Sequence, residues 1–481
     1  MTDLKPRESI FEYIFYPRGV AIIGASPHDL ATISHLRTKI SNRLYLVNPK
    51  YEEVHGRKCY PSVSLIPEVV DYAIVGVGAK QVPEVIKDCI KKGLKAVQIF
   101  TAGFSETGIP ERIALEEEIK RIAKDRIRLI GPNCFGVYCP RSGLTIVPEA
   151  PHEEGHIGVI AQSGSVTESF SYFARTKGLS FSKIVSYGNA ADLDGADFLE
   201  YLADDEDTHL IALYIEGTKN GKKFKEALKK AALKKPVVAI KGGLSDQGMR
   251  AAASHTASLS STPALWEALF KQTGVIQVGN FEEMVNTVLA FSTSPLPKGR
   301  SIALISNSGG FSVIQTDMCA QLGLEVPRFP EPILEMLRNL VPTAGTAIAN
   351  PLDAWPIFYN VAEKNNISDV IKACGASENI HTLVFHFDQF RYLRRVLGKN
   401  VSSHMERLCN LIIDGCRHVR DREGKPVMAV VSLDPFMEDE EDRRNNLHLK
   451  NLFATNGFPV FSTLDGAIKA TANLCRFSCR D

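Results

Sequence analysis

No two of the ten cysteines are spaced as Cys-x-x-Cys, so the usual signature of a zinc site or of a disulfide framework is missing; scattered thiols fit a reducing cytoplasm. No apolar run approaches the roughly 18 residues that a membrane helix requires. The opening stretch, Met1 to Tyr13, is charged and has no signal-peptide core. Charge of one sign is missing too: 56 Lys and Arg face 55 Asp and Glu, a formal net charge of +1. Nothing in that balance draws the chain toward phosphate backbones or anionic membranes, so neither nucleic acid nor membrane is an expected partner. Two glycine signatures are also missing. The first strand is not followed by a complete Gly-x-Gly-x-x-Gly, and no Gly-x-x-x-x-Gly-Lys-Ser/Thr phosphate loop occurs.

What is present is a globular composition, 44% hydrophobic and 23% charged over 481 residues, enough for roughly three domains at about 150 residues each. Short Val- and Ile-rich runs recur between longer helix-like stretches. That is the pattern of parallel strands buried on both faces and joined by crossover helices, so the fold class is α/β. In the first third, strands are expected at Val20–Ile23, Leu44–Val47, Ala73–Val77, Ala96–Phe100 and Arg128–Ile130, forming one doubly wound, Rossmann-like domain over 9–148. A second unit opens at Ile157-Gly158-Val159-Ile160-Ala161-Gln162-Ser163-Gly164. Its phrase returns at Ile302-Ala303-Leu304-Ile305-Ser306-Asn307-Ser308-Gly309-Gly310, and Lys235-Pro236-Val237-Val238-Ala239 is echoed by Lys425-Pro426-Val427-Met428-Ala429. This internal repeat predicts two flavodoxin-like domains, 152–293 and 299–478, joined by the Ser- and Pro-rich linker around Pro295 and Pro297.

Several positions carry chemistry. Gly24-Ala25-Ser26 ends the first strand in a small-residue turn, where a doubly wound sheet brings backbone amides close to a phosphate; a tight turn alone would read the same. The second strand ends in Asn48-Pro49-Lys50, a cation where a dinucleotide site wants an acid. Ser163-Gly164-Ser165 stands between a buried strand and a helix, a place where free N–H groups and the helix dipole favour an anion, although Ser is also an ordinary N-cap. Glu216 ends a strand at the carboxyl edge, where α/β proteins gather functional groups. His255 follows a glycine-bearing loop, Gly242 to Gly248, and is surrounded by small residues that leave room for the imidazole.

Taken together, these residues resemble the NDP-forming acyl-CoA synthetases, the superfamily of succinyl-CoA synthetase, and within it the α subunits of ADP-forming acetyl-CoA synthetases. The resemblance runs through Tyr187-Gly188-Asn189-Ala190-Ala191-Asp192-Leu193-Asp194, Asp197-Phe198-Leu199-Glu200-Tyr201-Leu202, Tyr214-Ile215-Glu216-Gly217, Lys235-Pro236-Val237, Ser254-His255-Thr256 and, in the last third, Asn350-Pro351-Leu352-Asp353. It implies that His255 is phosphorylated and that Glu216 orients it. Ser163, Gly164 and Ser165 then bind phosphate, while Gly24, Ala25, Ser26, Asn48, Pro49, Lys50, Val77, Gly78, Ala79 and Lys80 contact coenzyme A. The implied reaction converts acyl-CoA, ADP and phosphate to a carboxylic acid, ATP and coenzyme A, through an acyl phosphate and a phosphohistidine. A neutral imidazole at cytoplasmic pH is a suitable nucleophile for it.

The chain departs from that family in three places: no glycine lies between Ser26 and Leu44, Gly78 replaces a common proline, and Ala257 replaces a frequent glycine. Because its own domains are accounted for without a nucleotide loop, ATP or ADP with magnesium is expected on a separate ATP-grasp β subunit, and no metal ligands are expected here. Two other readings remain: a non-catalytic regulatory protein that binds coenzyme A or acyl-CoA, and a Rossmann oxidoreductase.

Overall fold

The computed structural model describes residues 9–145, 150–256, 262–306, 309–341, 346–353, 355–358, 367–388, 390–398, 401–432 and 440–480. A few side chains inside its helices, that of His255 among them, lie outside this description. The chain divides into two compact units at Gly279/Asn280.

The first unit holds two sheets. One comprises β1 (Val20–Ile23), β2 (Leu44–Val47), β3 (Glu53–Val54), β4 (Arg57–Tyr60), β5 (Tyr72–Val75), β6 (Ala96–Ile99) and β7 (Arg128–Ile130), in the order β3-β4-β2-β1-β5-β6-β7. With β3 set aside, the remaining strands are parallel and follow the Rossmann order 3-2-1-4-5-6. Their apolar runs are buried on both faces, the reason they read as continuous Val and Ile stretches. The β3–β4 hairpin has no counterpart among the expected strands. It turns at His55 and Gly56, both with positive φ (51° and 73°), the backbone that a two-residue hairpin loop needs.

The other sheet of this unit comprises β8 (Gly136–Tyr138), β9 (Glu154–Ala161), β10 (Phe181–Ser186), β11 (Leu210–Ile215), β12 (Val237–Lys241) and β13 (Ile276–Gln277), in the order β13-β12-β11-β9-β10-β8. β8 pairs antiparallel with β10, so residues expected within the first domain complete the edge of the second sheet. The stretch after β10 joins the two sheets. Gly188 adopts φ +53°, and a Cβ there would come within 2.3 Å of the carbonyl oxygens of Pro132 and Asn133, an approach only glycine permits. Next to it, buried Asn189 donates from Nδ2 to Glu106 Oε2 at 2.6 Å and Glu116 Oε2 at 3.0 Å. Asp192 takes Arg128 in a two-pronged pair at 2.7 and 2.9 Å, and Asp194 caps the helix Gly195–Asp204.

The second unit contains β14 (Ile302–Ser306), β15 (Leu352–Asp353), β16 (Thr382–Phe387), β17 (Val427–Val431) and β18 (Val460–Phe461), all parallel, in the order β15-β14-β16-β17-β18. Numbered from the first strand of each sheet, β9–β13 and β14–β18 follow the same 2-1-3-4-5 flavodoxin-like order. The echo between the two halves is therefore a repeat of topology as well as of phrase. Asn350 substitutes for a neighbouring strand where β15 is too short: its Oδ1 accepts from Leu304 N at 3.0 Å and its Nδ2 donates to Ile302 O at 2.7 Å. The helix Phe281–Thr293, expected at the end of the middle domain, packs on the helix Leu464–Ser478, with Asn473 Nδ2 donating to Thr287 Oγ1 at 2.9 Å.

Candidate functional site

In the first sheet the chain reverses its winding direction between β1 and β5, and a doubly wound sheet opens its ligand crevice at that point. Gly24 ends β1 with φ +98°, and a Cβ there would meet Gly76 O, just past β5, at 2.9 Å. Absence of a side chain thus lets the two strand ends close up. Asn48-Pro49-Lys50 follows β2 and Val77-Gly78-Ala79-Lys80 follows β5, so the structure collects all ten residues expected to contact coenzyme A along one carboxyl edge. Asn48 Nδ2 donates to Ala25 O at 2.8 Å and ties two of these turns together.

The turn amides themselves are occupied. Gly24 N and Ala25 N donate to Val47 O at 2.9 and 3.3 Å, and Ser26 N donates to Asp29 Oδ2 at 2.7 Å. The first turn therefore does not offer the free N–H groups that its composition suggested, because Asp29, the N-cap of the short helix Leu30–His35, takes the place of an anion. Positive charge comes from side chains: Lys50 and Lys80 are exposed and, among the described residues, in no ion pair. A cavity of about 120 Å³ lies under the turn, lined by Ile22, Gly24, His35, Gly76, Phe100 and Phe135 among others. Nδ1 of the buried His35 donates to Ala31 O at 2.8 Å, while Nε2 faces Thr145 N at 3.3 Å. Since Thr145 N is a donor, Nε2 accepts and Nδ1 carries the proton; burial lowers the imidazole pKa.

Phe135 links this crevice to the next. Its ring stacks on Phe100 at 5.6 Å and stands 2.9 Å from where a Cβ on Gly164 would lie, so Gly164 brings the start of the helix Gly164–Thr176 against the cavity wall. Ser163 Oγ is 3.0 Å from Ser165 Oγ and accepts from Val166 N at 3.4 Å. This is the N-cap arrangement that the residue types allow, set at the carboxyl edge of β9 between β10 and β11.

Glu216 ends β11 beside it and is only 5% exposed. Tyr214 donates to its Oε1 at 3.0 Å. The two loops are bound together by Gln162, whose Oε1 accepts from Glu216 N at 2.6 Å and Gly217 N at 3.0 Å. Gln162 and Tyr214 were not singled out as functional; a glutamine at a strand end reads as ordinary loop.

His255 falls in the last turn of the helix Asp246–Thr256. Its side chain, and residue Ala257 entirely, lie outside the described residues, as do Asn307 and Ser308 of the echoed phrase. The helix that carries it returns onto the Gly242–Gly243 turn, where a Cβ on Gly243 (φ +77°) would stand 3.1 Å from Ala252 Cβ. It also packs near the turn Ser105–Thr107 of the first sheet. The structure thus assembles the serine turn, Glu216 and the histidine-bearing helix around one edge. Among the described residues no cluster of His, Cys, Asp and Glu could hold a metal ion, and no helix is long and apolar enough to cross a membrane.

A Rossmann sheet with its crevice at Gly24, followed by flavodoxin-like sheets with a serine turn at a helix start, defines a coenzyme A-binding, succinyl-CoA ligase-like protein. Family models agree with this class. The CoA binding domain matches residues 18–140, and the succinyl-CoA ligase like flavodoxin domain matches 154–291. Subunit alpha of the ADP-forming acetate–CoA ligase II of Pyrococcus furiosus is 42% identical over 457 residues, 94% of each chain. The ADP-forming acetate–CoA ligase of Methanocaldococcus jannaschii is 41% identical over 354 residues, 72% of this chain and 49% of that longer protein. Among solved structures, the dinucleotide forming acetyl-coenzyme A synthetase 1 of Candidatus Korarchaeum cryptofilum, in complex with phosphate and ADP, superposes with a TM-score of 0.82 at 28% identity, covering 98% of this chain and 97% of that one. The chain belongs to the family of ADP-forming acetate–CoA ligases.

Proposed function

We propose that this chain is the thioester-cleaving and phosphoryl-carrying half of an ADP-forming acyl-CoA synthetase, working reversibly on a small acyl-CoA. Phosphate oxygen attacks the thioester carbonyl, the C–S bond breaks, and coenzyme A leaves as its thiol. A ring nitrogen of His255 then attacks phosphorus of the acyl phosphate, and the carboxylate leaves. Finally ADP attacks the phosphohistidine, the P–N bond breaks, and ATP forms. Glu216 accepts a hydrogen bond from the other ring nitrogen, fixing the tautomer and stabilising the charge that develops on the ring. Amides at the start of Gly164–Thr176, with Ser163 and Ser165, neutralise phosphoryl oxygens; positioning and electrostatics supply most of the catalysis in such transfers. Coenzyme A runs along Gly24–Ser26, Asn48–Lys50 and Val77–Lys80, its phosphates held by Lys50 and Lys80.

The observation that carries this reading is the Gln162 bridge, which fixes the Glu216 loop beside the serine turn of the helix start. The subunit alpha relative supports a partner chain. We assign ADP and magnesium to a partner ATP-grasp β subunit, because that relative is named as one subunit of its enzyme. Purified alone, the chain should release no ATP from acyl-CoA, phosphate, ADP and magnesium, and adding an ATP-grasp β subunit should start turnover. Robust ATP formation by the single pure chain would overturn the division of labour.

A further inference from the structure

Ile22, Ile74 and Gln98 stand side by side in register on β1, β5 and β6 of the first sheet. Two residues further along come Gly24, Gly76 and Phe100, which the alternation of a strand places on the same side, and all six line the cavity under the turn. Because two of the last three lack a side chain, this row does not fill the space beside the helix Leu30–His35. The cavity of about 120 Å³ is what remains. Polar side chains in its wall are engaged within the protein. Asp29 accepts from Ser26 N and Thr32 N, and both ring nitrogens of His35 are used. Gln98 accepts from the Tyr72 hydroxyl at 2.7 Å and donates to Phe135 O at 2.8 Å. Among the described residues no lysine or arginine lines the space. It therefore suits an uncharged, apolar group; a carboxylate placed there would meet no cation and would face Asp29, a costly burial.

The neighbours of the cavity indicate which group that is. Gly24 and the exposed Gly76 belong to the edge assigned to coenzyme A, and the ring of Phe135, in the wall, stands 2.9 Å from where a Cβ on Gly164 would lie. The cavity thus lies between the coenzyme A edge and the start of the helix assigned to phosphate. A thioester carbonyl attacked by phosphate turns its sulfur toward the first and its reacting face toward the second, with the attacking oxygen roughly 3–3.5 Å away. Its remaining substituent, the acyl chain, needs a place between them. We propose that this cavity receives the acyl chain and restricts the substrate to short, uncharged, aliphatic acyl-CoA thioesters. Counting about 30 Å³ for each water-sized group, 120 Å³ holds a tail of about four carbons beyond the carbonyl. It is smaller than the roughly 150 Å³ of a cavity that admits benzene.

The proposal rests on the acyl-CoA ligase reading for the identity of the thioester, and a binding series separates the two. Dissociation constants of coenzyme A and of acetyl-, propionyl-, butyryl-, valeryl-, hexanoyl-, phenylacetyl- and succinyl-CoA would be measured on the full chain by calorimetry. Affinity should rise about fourfold for each added methylene up to a tail of about four carbons and fall beyond it. Phenylacetyl- and succinyl-CoA should bind no better than coenzyme A. A Cβ on Gly76 would have one neighbour within 4 Å, Ile23 O at 3.9 Å, so Gly76→Ala and Gly76→Val should fold and move the optimum to shorter tails, the second further than the first. Phe135→Leu should move it to longer ones. Melting temperatures check that each variant is folded. A chain that binds with this length profile, yet cleaves no acyl-CoA with phosphate when reconstituted with the β subunit, would support the pocket and count against the ligase reading. Three results would overturn the proposal: a flat wild-type series, an optimum that stays in place in folded Gly76→Val and Phe135→Leu, or a Gly76→Val loss equal for coenzyme A and every acyl-CoA. The last would give the cavity to the coenzyme A arm instead.

Discussion

Replacing Gln162 tests whether the bridge between the serine turn and Glu216 is what holds the site. Gln162→Leu keeps much of the volume but removes the oxygen that accepts from Glu216 N at 2.6 Å and Gly217 N at 3.0 Å. Both residues are buried, so neither amide can turn to water. A buried donor left without an acceptor costs about 1–3 kcal/mol; two of them, partly relieved by loop movement, cost about 3 kcal/mol. In a domain of 150–250 residues each kcal/mol moves the midpoint about 2–4 °C, so unfolding of this unit should drop by roughly 6–12 °C. Gln162→Glu separates the two roles. Its carboxylate still accepts from both amides, so the melting temperature should stay within about 3 °C. Its charge beside Ser163 repels phosphate, however, and should raise the phosphate KM on the order of tenfold, about 1.4 kcal/mol. Differential scanning fluorimetry and phosphate titration measure the two effects. A Gln162→Leu chain that melts like wild type would refute the reasoning, since the bridge would then carry no energy.

Four further outcomes follow from the same geometry. Glu216→Gln retains a group that can accept from Tyr214 but removes the charge, and single-turnover formation of phosphohistidine should slow on the order of 100-fold; an unchanged rate would return Glu216 to a merely structural role. Coenzyme A, and not NAD, should raise the melting temperature by mass action. Lys50→Ala combined with Lys80→Ala should weaken coenzyme A several-fold at low salt and progressively less at high salt, and a salt-independent loss would argue against charge pairing. Because burial depresses the His35 pKa, the unfolded chain takes up a proton below its ordinary value of about 6.5 that the folded chain refuses. Stability should therefore fall as pH drops from about 6.5 toward the folded pKa. His35→Gln, which still offers Thr145 N an acceptor, should flatten that part of the melting profile; an identical pH dependence would count against it.

The sheets were legible where strands are buried on both faces. Val20–Ile23, Leu44–Val47 and Arg128–Ile130 fall as expected, and β5 and β6 differ only at their ends. The β3–β4 hairpin escaped because Glu53-Val54 and Arg57-Lys58-Cys59-Tyr60 form a short polar edge with no apolar run. β8 escaped for a different reason: its antiparallel partner on β10 is far along the chain, as in Ser186 opposite Gly136, a non-local pairing that no local pattern records. At the site, residue types pointed to Ser163, Gly164, Ser165 and Glu216, but not to Gln162, whose role depends on two amides in another loop. The turn at Gly24-Ala25-Ser26 shows the converse limit. Its composition suggested free amides, whereas Asp29, three residues past Ser26, fills one of them. Asn189 stands out in sequence through its family motif, yet its hydrogen bonds show it joining Glu106 of the turn Ser105–Thr107 and Glu116 of the helix Pro110–Ala123 to the end of β10.

The central claim is that the chain carries the phosphoryl group on His255. Incubation with acyl-CoA and phosphate, followed by digestion and mass spectrometry under neutral or basic conditions, tests it most directly. The account predicts one phosphopeptide, spanning Ala251 to Ser258, acid-labile and base-stable, present only when acyl-CoA is supplied and absent in His255→Ala. A modified residue elsewhere, or label that persists in His255→Ala, would contradict it.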